Sequence, residues 1–145
     1  MKGLISALGA LLMLCVSACA TRYGSQNNVL TGWMGGYTDH QGPGELVRVD
    51  FAGNGMIDRS KVGVYLVYRC AELAQEHGKS YFSMYPTIAH AIADRPISDS
   101  SVTSVGGKPL GTLYILFQDT AVQGATSVKA ILDQYGPEVR GEQKS

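Results

Sequence analysis

The stretch Arg59 to His77, RSKVGVYLVYRCAELAQEH, decides the fold. Val62, Leu66, Cys70 and Leu73 gather on one side at helical spacing, flanked by Tyr65 and Val67, while Lys61, Glu72 and Gln75 lie opposite. That is the pattern of an amphipathic helix with one stripe to bury. Asp58 stands where an N-cap belongs and Gly78 where a helix ends. Such a stripe needs an apolar surface to lie on, and the flanking sequence supplies it as strands.

Upstream, Trp33 to Thr38 is glycine-rich and aromatic, and a polar turn from Asp39 to Gly44 follows it. Glu45 to Phe51 then alternates, with Val47, Val49 and Phe51 on one face and Arg48 and Asp50 on the other, the period of a half-buried strand. The two segments predict an antiparallel hairpin. Gly53-Asn54-Gly55 ends it, because these residues tolerate the positive φ of a tight reversal. Downstream, Ser80 to Tyr85 reads as a strand stopped by Pro86. Lys108 to Asp119 contains the apolar run Leu113-Tyr114-Ile115-Leu116-Phe117, expected as a central strand covered on both faces or nearly so. Between them Thr87 to Gly107 reads as a long loop with a short strand at Ser101 to Val105. Val128, Ile131, Leu132 and Tyr135 predict a second helix, capped by Thr126 or Ser127 and stopped by Gly136-Pro137. The expectation is an α+β fold: a small antiparallel sheet of about four strands in β-β-α-β-β-α order, with the helices packed on one face.

The N-terminal end carries an address. Lys2 supplies a positive start, Leu4 to Val16 an apolar run, and small residues follow, the three parts of a secretory signal. The run meets polar sequence at Thr21 and beyond before it reaches the roughly 20 residues a membrane span requires. Val16-Ser17-Ala18-Cys19 resembles the lipobox of bacterial lipoproteins. The resemblance implies that residues 1–18, Cys15 among them, are removed as a signal peptide. Cys19 then receives diacylglycerol and an N-acyl chain, palmitate among the fatty acids, and becomes the first mature residue. Several chains on one residue make a lasting membrane anchor. In that class an Asp directly after the cysteine retains a lipoprotein in the inner membrane; Ala20 stands there, which points to the outer membrane, facing the periplasm. Residues 19–31, polar and aperiodic after the cysteine, read as a flexible tether, 32–140 as one α+β domain, and 141–145 as a polar tail.

Composition narrows the partners. The 145-residue chain carries 12 Lys and Arg against 12 Asp and Glu, so nothing in it suggests a nucleic-acid footprint or a polybasic membrane patch. Cys70 is the one thiol in the body of the domain, which leaves no internal disulfide to form.

Three further segments resemble a family. Thr31-Gly32 with Gly35-Gly36-Tyr37, then Val49-Asp50-Phe51-Ala52-Gly53-Asn54-Gly55, then Tyr65-Leu66-Val67-Tyr68-Arg69-Cys70-Ala71-Glu72-Leu73 are similar to motifs of small uncharacterised bacterial lipoproteins. These are a T-G-G-Y opening, a V-x-F-x-G-N-G turn and a Y-x-x-Y-R-A-A-E-L helix, often with a closing G-P such as Gly136-Pro137. Trp33-Met34 is an insertion in the opening motif, and Cys70 replaces an alanine. The resemblance implies the same address and fold and brings no catalytic residue with it.

No enzyme emerges from the residues themselves. Cys70 and His77 are seven positions apart on one helix, about 10.5 Å along its axis, whereas a nucleophile and its base need about 3 Å. Cys70 reads as an inert core thiol. His40, His77 and His90 are scattered, His77 reading as a helix C-terminal residue on the dipole, and a metal pairing of His90 with Asp94 or Asp99 is the weaker reading. The Gly53-Asn54-Gly55 turn lacks the spacing of a phosphate-binding loop. No catalytic residue, metal or cofactor is therefore expected. Tyr65, Tyr68 and Arg69 form a candidate interaction cluster, since an exposed aromatic beside arginine suits an interface; the alternative is that Arg69 pairs with Glu72 or Glu76 on its own helix. The preferred function is a non-enzymatic envelope lipoprotein that contacts an envelope protein partner. The alternative is a binding module for a small molecule or lipid, its pocket formed by the sheet face and Thr87 to Gly107. A sizeable apolar cavity favours the alternative and a filled core with an exposed aromatic patch the first.

Overall fold

Alternation at Val47, Val49 and Phe51 becomes a strand, as the period requires. The computed structural model describes residues 21–26 and 35–143. In it β1 (Gly36–Gln41) and β2 (Val47–Ala52) form an antiparallel hairpin with Gln41 opposite Val47. The turn is closed by the Gly42 N–H donating to the Leu46 carbonyl at 2.8 Å, with Gly44 at φ +61. Asp39 therefore belongs to the strand and not, as expected, to the turn.

The long amphipathic segment forms α1 (Arg59–Glu76). Asp58 occupies the N-cap position without a side-chain capping bond; its backbone carbonyl accepts from the Val62 N–H at 3.1 Å. At the other end Gly78, at φ +68, donates to Gln75 and Lys79 donates to Ala74, which is the Schellman closure. β3 (Tyr81–Tyr85), α2 (Ile88–Ile92), β4 (Val102–Val105), β5 (Lys108–Gln118), β6 (Thr126–Ser127) and α3 (Val128–Gln143) follow.

The described residues thus hold six strands and three helices, against the expected four and two. The sheet is open and antiparallel, in the order β1-β2-β5-β3-β6, with β4 beside β5. β5 is its axis. β2 pairs along one edge of it, at Leu110 to Ile115, while β4 and β3 share the other edge end to end, at Lys108 to Gly111 and Tyr114 to Gln118. Gly106 and Gly107, at φ +57 and +77, make the two-residue turn between β4 and β5, the geometry that matches strand twist in a hairpin.

One sheet face is the core. Val49, Phe51, Phe82, Met84, Leu113 and Ile115 are wholly buried beneath Val62, Tyr65, Leu66 and Cys70 of α1. α3 packs mainly on α1 and against β6, with Val139 wholly buried.

Several expectations require correction. β5 is covered on one face only: Thr112, Tyr114 and Leu116 are half-buried on the other, and Leu110 is exposed. That second face carries a polar cluster in which Asp50 accepts from Arg48 at 2.9 Å and from the Thr112 hydroxyl at 2.5 Å. The helices do not share a face, because Ile88, Ala91 and Ile92 of α2 line a groove with Tyr85 and Leu116 of the second face. α3 runs through Gly136-Pro137 instead of stopping there, and it passes the expected domain limit at 140. The missing proline donor is outweighed by Val139, which holds the last turns in the core. Gly53-Asn54-Gly55 turns without positive φ at any of its residues. Gly53 answers crowding: a Cβ there would lie 2.4 Å from Ile57 Cγ2 and 2.9 Å from Pro109 Cγ.

Candidate functional site

The segment expected as a tether is, over Thr21 to Gln26, part of the domain. Thr21 and Tyr23 are 2% and 5% exposed. Thr21 Oγ1 accepts the Asn54 N–H at 2.7 Å, and the backbone on either side of Ser25 exchanges hydrogen bonds with Tyr37 at 2.8 and 2.9 Å. Tyr23 sits among four rings, with centroids 5.3 Å from Tyr37, 5.3 Å from Tyr68, 5.5 Å from Tyr65 and 6.5 Å from Phe51. Its hydroxyl donates to the Glu72 carboxylate. Burial, reinforced by that carboxylate, raises its pKa well above the ordinary tyrosine value, so it remains a donor.

Beneath the arm lies an ion cluster. Arg69 reaches across from α1 to Asp39 of β1 at 2.8 Å, and along its own helix to Glu76 at 2.8 Å and Glu72 at 3.2 Å. The guanidinium also stands 4.5 Å over the Tyr37 ring. Burial opposes its charge, but the hydrogen bonds to Asp39 and Glu76 prevail and its pKa is held above the ordinary value. Periodicity places Glu72 and Glu76 beside Arg69; Asp39 comes from another element, and no sequence signal indicated it.

Tyr65, Tyr68 and Arg69 are thus brought together, but inside. They are 0%, 4% and 8% exposed, which corrects the expectation of an exposed patch: the arm covers that part of the helix. Among the described residues the Tyr65 hydroxyl has no hydrogen-bond partner. The pairing of Arg69 with both glutamates on its own helix is present.

Cys70 is wholly buried, and desolvation raises its thiol pKa far above the ordinary value. His77 stacks on Phe117 with ring centroids 4.5 Å apart, and its Nδ1 meets the Leu73 carbonyl at 2.8 Å. His90 Nδ1 lies 2.8 Å from the Thr87 hydroxyl, while Asp94 accepts from the Tyr85 hydroxyl. Among the described residues no His, Cys, Asp and Glu side chains converge as a metal site.

Comparison with family models, with curated proteins and with solved structures returns no match. Val16, Ser17, Ala18 and Cys19 lie outside the described residues, as does Trp33-Met34. Among the described residues no helix is long and apolar enough to cross a membrane.

Among the concave surfaces of the described residues two bear on function. The larger, about 830 Å³, opens between the C-terminal half of α1, the start of β3 and α3, with Tyr68 and Glu72 flanked by Lys79, Lys129, Leu132 and Arg140. It is open and polar. The smaller, about 360 Å³, is the apolar groove where Leu46, Ile88, Ile92 and Leu116 meet on the second sheet face. Sequence reading placed a pocket in that region, from the sheet face and the 87–107 segment. It missed α2, which is a single capped turn: Thr87 Oγ1 accepts the His90 N–H at 3.2 Å.

Proposed function

We propose that this chain is a bacterial envelope lipoprotein, acylated on Cys19 and held by its lipid at the periplasmic face of the outer membrane, where it acts by contact. The observation that carries this is the lipobox Val16-Ser17-Ala18-Cys19 at the end of a signal-type apolar run. The function is non-enzymatic. Supporting this, Cys70 is sealed in the core as a protonated thiol, and the His77 and His90 rings each make a local contact within the fold. The surface for an envelope protein partner is the polar groove. There Tyr68 contributes an aromatic ring, with Lys129, ion-paired to Asp133, and the exposed Arg140 alongside, a mixture suited to recognition. A second reading, a module that binds a small molecule or lipid, is favoured by the apolar groove beneath α2.

Radiolabelled palmitate incorporation tests the anchor. The wild-type chain takes up label and Cys19→Ser does not, while the domain stays folded. Unchanged labelling in that variant removes the proposal. Crosslinking in intact envelopes from position 129, compared with position 92 in the apolar groove, separates the two readings: a protein adduct at 129 supports a partner, and a lipid adduct at 92 supports the binding module.

A further inference from the structure

If Cys19 is the acylated residue, the docked arm fixes which end of the domain meets the membrane. This inference rests on the anchor proposed above. Only two peptide links separate Cys19 from Thr21, so Thr21 lies within about 7 Å of the acylated Cα. Thr21 is not free to swing, being buried and bonded to Asn54. A tether over the whole of 19–31 would have allowed a reach of roughly 40 Å. The docked arm removes that freedom.

Around Thr21 two loops meet. Gly53 donates to the Pro109 carbonyl at 2.8 Å, and Gly55 approaches the Gly107 carbonyl, so the Asn54–Ile57 loop and the β4–β5 turn form one end of the molecule. Two of their exposed side chains are apolar: Met56 is 61% exposed and Val105 is 68% exposed. Arg22 and Lys108 are exposed beside them, with Asp58 the exposed acid in the same region. Two protruding apolar side chains with cations alongside suit the headgroup layer, where apolar tips enter and cations meet phosphate.

The geometry points to this end as a bilayer-apposed face, with the surface of the lipid layer that holds the acyl chains as its occupant. The domain then stands on end. β5 runs away from the membrane over its 11 residues, roughly 35 Å. The Gly78 end of α1 and the Thr120–Ala125 turn are carried to the far side, and the polar groove, bounded by Gly78, Lys79 and Ser80, is presented away from the lipid.

The test uses the lipidated full chain in vesicles of phosphatidylethanolamine and phosphatidylglycerol. A fluorophore is placed on Met56→Cys or, as the distal control, on Gln123→Cys; Cys70 is buried and does not compete for the label. Lipids carrying a nitroxide near the headgroup are the quencher, and mass measurement first establishes the acyl chains on Cys19. The expected result is quenching several-fold stronger at position 56 than at 123. Loss of that difference in Tyr23→Ala, with the acyl chains still present, adds that arm docking sets the orientation. Equal, weak quenching at both positions on an acylated protein overturns the apposed face and leaves the anchor standing. Absence of acyl chains overturns the anchor and the inference together.

Discussion

Replacing Tyr23 with alanine removes the side chain that pins the N-terminal arm. Its ring is 5% exposed and touches four others. Truncating a buried aromatic to alanine costs about 3–5 kcal/mol through lost transfer energy and the space left behind. The arm is terminal and can collapse or lift away, so the lower part of that range applies, about 3 kcal/mol. Tyr23→Phe isolates the hydroxyl. A hydrogen bond to a charged group contributes about 1.5–3 kcal/mol, and Glu72 keeps its contact with Arg69, so a loss of about 1.5 kcal/mol is expected. Urea unfolding followed by circular dichroism measures both losses from the midpoint at constant slope. Hydrogen exchange at the Tyr37 and Asn54 amides reports the arm itself, since these donate to Gly24 and Thr21. Tyr23→Ala within about 0.5 kcal/mol of wild type, the range of an ordinary surface substitution, together with unprotected Tyr37 and Asn54 amides in the unaltered chain, would refute the docked arm. It would restore the tether that the polar sequence suggests.

Three further outcomes are expected. Arg69→Lys keeps the charge but loses the fork that spans Asp39 and Glu76, and thermal unfolding should show about 1–3 kcal/mol lost; a neutral result would mean the cluster is solvated in solution. Raising the pH should destabilise the domain: burial raises the pKa of Cys70, Tyr23, Tyr37, Tyr68 and Tyr85, so the folded state holds protons that the unfolded state releases above about pH 8.5 at the thiol and above about pH 10 at the phenols. Stability is intact below the first of these points and falls above it, less steeply in Tyr23→Phe beyond the second, as unfolding midpoints across the alkaline range will show. Cys70→Ser puts a more polar hydroxyl in the wholly buried core and should cost about 1–3 kcal/mol, while in the unaltered protein a thiol reagent should react with Cys70 only as fast as the domain opens.

The two longer helices and strands β2, β3 and β5 were legible in the sequence because each is long enough to show a pattern, whereas β1 was expected early, at Trp33 to Thr38. α1 displays its stripe over 18 residues, and β2 alternates cleanly. β6, two residues long, has no period to display, and its Ser127 was legible only as the cap of α3, whose Ala130 N–H it receives at 3.4 Å. α2 is too short for a helical repeat, though the Thr87 cap was present in the sequence. The Gly106-Gly107 pair was an available hairpin signal. The arm was the largest miss for the site. Its composition is that of a linker, and Tyr23 binds through residues far along the chain, Tyr37, Phe51, Tyr65 and Glu72. Local pattern carries no trace of such contacts. The same holds for Tyr68, read as exposed from helical phase while the arm whose Tyr23 ring lies against it was read as a tether.

Because β2 and β3 each pair with β5 and not with each other, the order in which the chain emerges matters. Threaded N-terminus first from a ribosome or a translocation pore, the β1–β2 hairpin and α1 appear early with their apolar faces uncovered. No strand pairing joins the hairpin to β3 until Gln118 is out, when more than four-fifths of the 145 residues have passed. The domain therefore has a late keystone: chains ending before Lys108 carry most of the core residues but lack the strand that joins the β1–β2 hairpin to β3. A chain whose central strand arrives this late stays incompletely folded for most of its synthesis.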